Sequence, residues 1–160
     1  MKFRSIKEFP KCNRVYDFDL IGMREYLEKQ NLQFDPIYQR GYVWTQEQKI
    51  SYVEYFLKIP VSGNHIFLNQ SEWDLPLEIV DGKQRLTALF DFLDNKIPAF
   101  GYLFSEFEDK FPLHATLRVY VNDLKTQKEV VEWYLSMNTG GSIHTEKDLH
   151  PAYDYLNKIV

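Results

Sequence analysis

The chain has a single cysteine, Cys12, among its 160 residues. An internal disulfide and a zinc site built from several thiolates are therefore excluded. A lone thiol is typical of a protein in a reducing compartment. The sequence has no apolar run of transmembrane length, and its first residues, MKFRSIKEF, lack the apolar stretch of a signal peptide. These absences predict a soluble, cytoplasmic protein with no membrane partner.

The chain also lacks an excess of positive charge. Its formal net charge is −4, whereas a protein that binds DNA without regard to sequence usually carries the opposite sign. No pair of helices reads as a helix-turn-helix with a basic recognition helix. Direct DNA binding is therefore weakly supported, although a local basic pocket on an acidic body stays open.

Several common catalytic patterns are missing as well. The four histidines, His65, His114, His144 and His150, have no metal-binding spacing. There is no GxSxG nucleophile elbow, and Cys12 has no acid or base nearby in sequence. What the chain does have is 44% hydrophobic and 16% aromatic residues, enough for one packed domain over residues 1–160.

Local signals predict alternating short helices and strands. Asp19 is placed to cap a helix over residues 20–30, and capping boxes begin at Thr45 and at Thr126. Strands are predicted over residues 65–69, 77–80 and 116–121, and a last helix from Thr145 to about Leu156. The strands are too few and too short for a doubly wound sheet. The pattern predicts an α+β fold with a small mixed sheet and surrounding helices.

Residues 77–89, LEIVDGKQRLTAL, carry the most information. A β-branched strand stops at Asp81-Gly82, the donors Lys83, Gln84 and Arg85 follow, and a helical pattern begins. One interpretation is a capping box, in which Asp81 accepts from the helix start and Gln84 reaches back. The other is a phosphate site, because backbone N–H groups and two cations converge at the helix N-terminus. The pattern alone leaves both interpretations open.

Two more segments have a structural and a functional interpretation. Residues 38–44, YQRGYVW, are either an aromatic plug in the core or a second phosphate donor, Arg40, with aromatic rings that stack on a base. Residues 138–141, NTGG, are either a helix C-cap or a loop whose glycines let backbone amides approach a ligand. Taken alone, the residues favour the plug, and a lone GG pair is a weak signal.

Together the three segments resemble one known family. PIYQRGYVW (36–44), IVDGKQRLTAL (79–89) and NTGGSIHTEKDL (138–149) stand in the order of the motifs of the N-terminal domain family of GmrSD-type modification-dependent restriction enzymes. The resemblance covers about residues 18–150. It implies a ParB/sulfiredoxin-like fold with the family's DGQQR motif, nucleotide binding and, as in several relatives, hydrolysis of a nucleoside triphosphate.

The resemblance also assigns residues to roles. The catalytic residues it implies are Asp81, Gln84 and Arg85, at the triphosphate. The nucleotide-binding residues it implies are Gln39, Arg40, Gly82, Lys83, Asn138, Gly140 and Gly141. Asp81 could also hold a magnesium ion. Glu78, three residues before Asp81, is expected to face the opposite side of its strand and is a poor candidate for catalysis.

Two departures from the family pattern matter. Lys83 stands where the family usually has glutamine, which could change nucleotide preference or remove hydrolysis. The chain ends at Val160, so the C-terminal HNH-type nuclease domain of the restriction enzymes is not expected. Short relatives of this kind occur in phages and mobile elements, which suggests a role in defence or counter-defence in the host cytoplasm.

Two functional hypotheses follow from the resemblance. In one, the chain is a nucleoside triphosphatase that acts as a switch for a nuclease, a defence protein or another protein partner. In the other, it is a non-catalytic module that binds a host protein or a nucleic acid. The base of the nucleotide and the identity of the partner are not encoded in any pattern that we can interpret.

Overall fold

A computed structural model describes residues 3–6, 8, 10, 12–39, 44–109, 111–139 and 146–160. Within these residues the strands are β1 (Arg14–Asp19), β2 (His65–Asn69), β3 (Glu78–Asp81) and β4 (Thr116–Asn122). The helices are α1 (Leu20–Lys29), α2 (Gln46–Leu57), α3 (Lys83–Leu93), α4 (Gln127–Thr139) and α5 (Glu146–Ile159), with 3₁₀ turns at Phe3–Ser5 and Phe104–Glu106. None of the helices in the described part of the chain has the length and hydropathy that crossing a bilayer requires.

The four strands form one mixed sheet in the order β1-β4-β2-β3. Strands β2 and β4 run parallel, while β1 pairs with β4 and β3 pairs with β2 in the antiparallel sense. The predicted α+β class, with a small mixed sheet and surrounding helices, is confirmed. Because β2 and β3 are antiparallel, the end of β3 at Asp81 lies beside the beginning of β2 at His65.

The sheet separates two apolar clusters. The larger cluster lies between one face and α1, α2 and α3, and its buried members include Leu20, Met23, Phe56, Ile66, Leu89 and Val119. The smaller cluster lies under α4 and α5 on the other face, and its buried members include Tyr38, Val80, Val131, Trp133 and Leu149. Strand β3 contributes to both, which fixes its end between the two helical layers.

Three of the predicted helix starts are confirmed, whereas the predicted start at Thr145 lies outside the described residues. Asp19 Oδ1 accepts hydrogen bonds from the N–H groups of Ile21 and Gly22, each at 2.9 Å. Thr45 and Gln48 form a reciprocal capping box that opens α2. Thr126 forms the same exchange with Glu129, at 3.0 and 3.3 Å, at the start of α4. Each cap contributes about 1 kcal/mol and is set by residues three positions apart, so the sequence reveals it.

Candidate functional site

Strand β3 contains an irregularity just before its end. Its pairing with β2 joins Glu78 to Asn69 and Asp81 to Phe67, with a register shift that leaves Val80 as the extra residue. Because Asn69 and Phe67 are two residues apart on β2, they share a face, and so do their partners. Glu78 and Asp81 therefore lie on the same face of the sheet. The expectation that they face opposite sides was wrong, because the bulge inverts the alternation.

Gly82 makes the turn from β3 into α3. Its φ of 104° lies in the left-handed region, and a Cβ there would come 2.6 Å from Ile66 Cδ1. Gly82 is itself the N-cap, and among the described residues no side chain accepts a hydrogen bond at this cap. The predicted capping box of Asp81 and Gln84 was therefore wrong, because a glycine occupies the cap position. The first turn of α3 consequently has no side-chain cap on its N–H groups.

The side chains of this turn make other contacts instead. Asp81 Oδ2 lies 3.5 Å from Arg85 Nη2, with both side chains about one-third exposed or less. Arg85 also donates through Nη1 to the carbonyl oxygen of His65 at the start of β2. Gln84 Oε1 accepts from the N–H of Trp44 at 3.3 Å. The guanidinium is thus held over the end of the sheet rather than extended into solvent.

Tyr52 on α2 lies close to the same guanidinium. Burial raises the pKa of its phenol, and the positive charge of Arg85 acts in the opposite direction. The hydroxyl of Tyr52 donates to the carbonyl oxygen of Gly63 at 2.8 Å. The neighbours of the Arg85 guanidinium are therefore the Asp81 carboxylate, the His65 carbonyl group and the neutral phenol of Tyr52. In this part of the described chain, Asp81 is its one charged partner.

The segment before Arg40 lies against the bulge. Gln39 Nε2 donates to the carbonyl oxygens of Ile79 and Val80, at 2.7 and 3.0 Å. Tyr38 is buried, and its ring packs on Tyr134 of α4 at a centroid distance of 5.4 Å. Burial, followed by the neighbouring Glu78 carboxylate, raises the pKa of Tyr38. Tyr38 is thus buried, as the aromatic-plug interpretation of residues 38–44 expects, and Gln39 contacts the strand end; residues 40–43 lie outside the described residues.

Lys83 is buried and donates to the carboxylate of Asp35. This contact and that of Gln39 hold residues 35–39 along β3 and the first turn of α3. The positive charge of Lys83 is thereby compensated within the protein. Asp35 was not among the sequence-predicted site residues; its position directly before the motif segment 36–44, which contains Gln39, was the one available signal.

The third motif segment is described only at its beginning. Asn138, at the end of α4, is buried and donates through Nδ2 to the carbonyl oxygen of Tyr134 at 2.7 Å. Since Tyr134 packs on Tyr38, the third segment starts beside the first. Arg40, Gly140 and Gly141, which the sequence assigned to nucleotide binding, lie outside the described residues.

The contact of Glu78 with α4 was not predicted from the sequence. This carboxylate is buried and accepts from Gln127 Nε2 of α4 at 3.0 Å. Its place at the start of an edge strand gave no signal of burial, because the helix that covers it comes about fifty residues later. Glu78 anchors α4 to β3.

The turn offers one carboxylate to a metal ion. Among the described residues no three His, Cys, Asp or Glu side chains lie close enough together to hold a metal ion. Magnesium is commonly held by one or two carboxylates and completed by water and phosphate oxygens. Asp81 supplies one carboxylate of such a donor set.

Comparison with known proteins gives one match. The sequence model of the family described as "GmrSD restriction endonuclease, N-terminal domain" matches residues 23–116, more than half of the chain. The matched region contains the first two motif segments, with Gln39 and residues 81–85. No curated protein and no solved structure matches the chain.

Proposed function

The chain belongs to the family of the GmrSD restriction endonuclease N-terminal domain, and we propose that it binds a nucleoside triphosphate at the turn between β3 and α3 and hydrolyses it. The observation that carries the proposal is the juxtaposition of a helix start whose N-cap is Gly82, with no side-chain cap among the described residues, and an arginine held over it by Asp81 and His65. The domain would act as a nucleotide-dependent switch related to restriction systems, in defence or counter-defence.

The backbone of the turn supports phosphate binding. The first N–H groups of a helix have no acceptor within the helix, and the helix dipole places partial positive charge at the same end. Gly82 removes the side chain that would stand between an anion and these groups. One phosphate of the nucleotide would therefore sit at the N–H groups of Gly82 and Lys83, as anions commonly do at helix N-termini.

Arg85 and Arg40 would offset the charge of the outer phosphate oxygens. Arg85 is already oriented by His65, so little side-chain entropy is lost when it binds a phosphate. Its ion pair with Asp81 is long, at 3.5 Å, and a phosphate oxygen can replace it. Gln39 and Asn138 would close the site from the facing segment and from the end of α4, and the resemblance gives Gly140 and Gly141 a role in the same nucleotide binding.

Hydrolysis requires a water molecule in line with the outer phosphate. The water oxygen would bond to the γ-phosphorus while the bond from that phosphorus to the bridging oxygen breaks, and the diphosphate leaves. Gln84, whose Oε1 accepts from the N–H of Trp44, would position this water. When bound at Asp81, magnesium would offset charge on the phosphate oxygens. Lys83 is held by Asp35, so it would contribute its backbone N–H rather than its ammonium group.

Incubation of the purified protein with each nucleoside triphosphate and magnesium, followed by a phosphate-release assay and a thermal-shift assay, tests this proposal. We expect thermal stabilisation and phosphate release for at least one nucleotide. Asp81→Asn should keep binding and lose release, whereas Asp17→Asn, at another partly exposed aspartate paired with an arginine, should change neither.

Each alternative has its own outcome in these assays. Absence of both binding and release at millimolar nucleotide would overturn the proposal. Binding without release would leave a nucleotide-responsive module that is not an enzyme. Absence of any nucleotide effect, together with one dominant protein recovered from lysate, would favour the non-catalytic interaction module.

A further inference from the structure

The sheet face that carries Asp81 also carries a row of aromatic side chains. Strand register places Tyr120 of β4 beside Phe67 of β2, and Phe67 beside Asp81 of β3. His65 precedes Phe67 by two residues and therefore points to the same side. These three rings, which we name the aromatic row, are each partly exposed.

The rings contact one another closely. Phe67 and Tyr120 are stacked, with centroids 4.9 Å apart and planes 11° apart. His65 meets Tyr120 edge-on at 5.4 Å. On its other side Phe67 is supported by Trp133 of α4, at 6.1 Å and 86°. The row is therefore a preorganised π surface, anchored at one side by α4 and reachable at Tyr120 and His65.

The row begins at the proposed phosphate site. The carbonyl group of His65 is the acceptor for Arg85, and Phe67 is the register partner of Asp81. Neighbouring strands lie about 4.8 Å apart, so Tyr120 is two strand spacings, roughly 10 Å, from Asp81. That separation suits a nucleotide whose outer phosphates lie at Arg85 and whose base extends along the sheet.

We infer that the aromatic row of His65, Phe67 and Tyr120 is the stacking surface for the base of the bound nucleoside triphosphate. The inference rests on the proposed function. Stacking accepts every base because each has a π face, so the site would take purine and pyrimidine nucleotides. Trp44 is less suitable, since its ring packs on Tyr52 at 5.4 Å beside the larger core.

Calorimetric titration can test base stacking on the aromatic row separately from phosphate binding at the turn. Wild type and Tyr120→Leu are each titrated with a nucleoside triphosphate and with inorganic tripolyphosphate, which has the phosphates and no base. We expect Tyr120→Leu to weaken nucleotide binding by about 5- to 100-fold, the range of base–aromatic stacking. Its affinity for tripolyphosphate should equal that of wild type, and Tyr120→Trp should restore nucleotide affinity.

Tyr102→Leu is the matched control. Tyr102 is 57% exposed and contacts Phe107, which packs on Phe92 of α3 at the opposite face of the sheet. This variant should bind both ligands as wild type does. It measures how the loss of an exposed tyrosine ring far from the aromatic row affects ligand affinity.

The outcomes are distinct. If wild type binds neither ligand, the proposed function fails. If wild type binds the nucleotide and Tyr120→Leu binds it equally well, the aromatic row is not the base site and the phosphate site stands. In that second case a further titration with a single-stranded oligonucleotide shows whether the row serves a nucleic-acid strand instead, because Tyr120→Leu would then lose oligonucleotide binding.

Discussion

The ammonium group of Lys83 is buried, whereas the carboxylate of Asp35 that it contacts is open to solvent. The two side chains are 8% and 82% exposed. A buried charge without a partner is costly, while an exposed carboxylate is readily hydrated. Lys83 therefore depends on Asp35 more than Asp35 depends on Lys83.

Substitutions of Asp35 and of Lys83 should therefore lower the stability of the protein by different amounts. We expect Asp35→Asn to lower the free energy of unfolding by about 1–3 kcal/mol, because it leaves the Lys83 charge without its partner. Lys83→Gln should cost less than about 1 kcal/mol. In the double variant the cost of Asp35→Asn should largely disappear. Urea unfolding measures all three, and equal costs for the two single variants would contradict this assignment.

Gly82 is expected to tolerate no side chain. Gly82→Ala would hold an alanine at a positive φ and drive its Cβ against Ile66. The backbone strain and the overlap together should lower the free energy of unfolding by about 2–4 kcal/mol. Denaturant unfolding at constant pH gives this value directly.

Gly101 provides the control for Gly82. It too has a positive φ, 84°, but a Cβ added to it would have no atom within 4 Å. Gly101→Ala should therefore show the conformational cost alone, about 1–2 kcal/mol. Equal losses at the two positions would mean that the contact with Ile66 adds nothing.

The Arg24–Asp94 ion pair should make stability depend on acid pH. Arg24 Nη1 lies 2.6 Å from Asp94 Oδ1, and this hydrogen bond is the main reason that the pKa of Asp94 is lowered. A lowered folded pKa stabilises the protein above the unfolded value of about 3.9. This stabilisation is lost as the pH falls through the lower, folded value.

Asp94→Asn removes that contribution, together with the weaker contact of Asp94 with the exposed Lys96 at 3.3 Å. At neutral pH the variant should be less stable than wild type by about 0.5–1 kcal/mol, since both side chains are partly exposed and solvent screens the pair. The two proteins should begin to converge near pH 4 and become equal only as the pH falls through the lowered, folded pKa of Asp94. Unfolding curves across this range measure the difference, and a gap that stays constant to pH 2 would rule out the ion pair as its source.

Local signals predicted much of the fold and only part of the site. The caps at Asp19, Thr45 and Thr126 depend on neighbours three positions away, and all three are confirmed. The bulge at Val80 depends on pairing with β2 and could not be inferred from β3 alone. Asp81 was interpreted as the N-cap of α3 because aspartate is one of the residues preferred at that position.

The parts of the site that the sequence did not predict depend on contacts between residues that are far apart in the chain. Lys83 and Asp35 are 48 residues apart, and the carbonyl that holds Arg85 belongs to His65, in another strand. The motif order indicated that the segments of Gln39 and Gln84 belong together, and the structure brings them together at β3. No local pattern could show that Lys83 turns toward Asp35, because that requires the packing of the whole domain.

The nucleotide affinity of Arg85→Ala tests the central claim most directly, with Arg24→Ala as the matched control. Both arginines pair with an aspartate and are 28% and 32% exposed. We predict that Arg85→Ala weakens nucleoside triphosphate binding by about 2–4 kcal/mol in calorimetric titration, and that Arg24→Ala leaves binding unchanged. Undiminished affinity in Arg85→Ala, with only a lower melting temperature with or without nucleotide, would contradict a phosphate receptor at this turn.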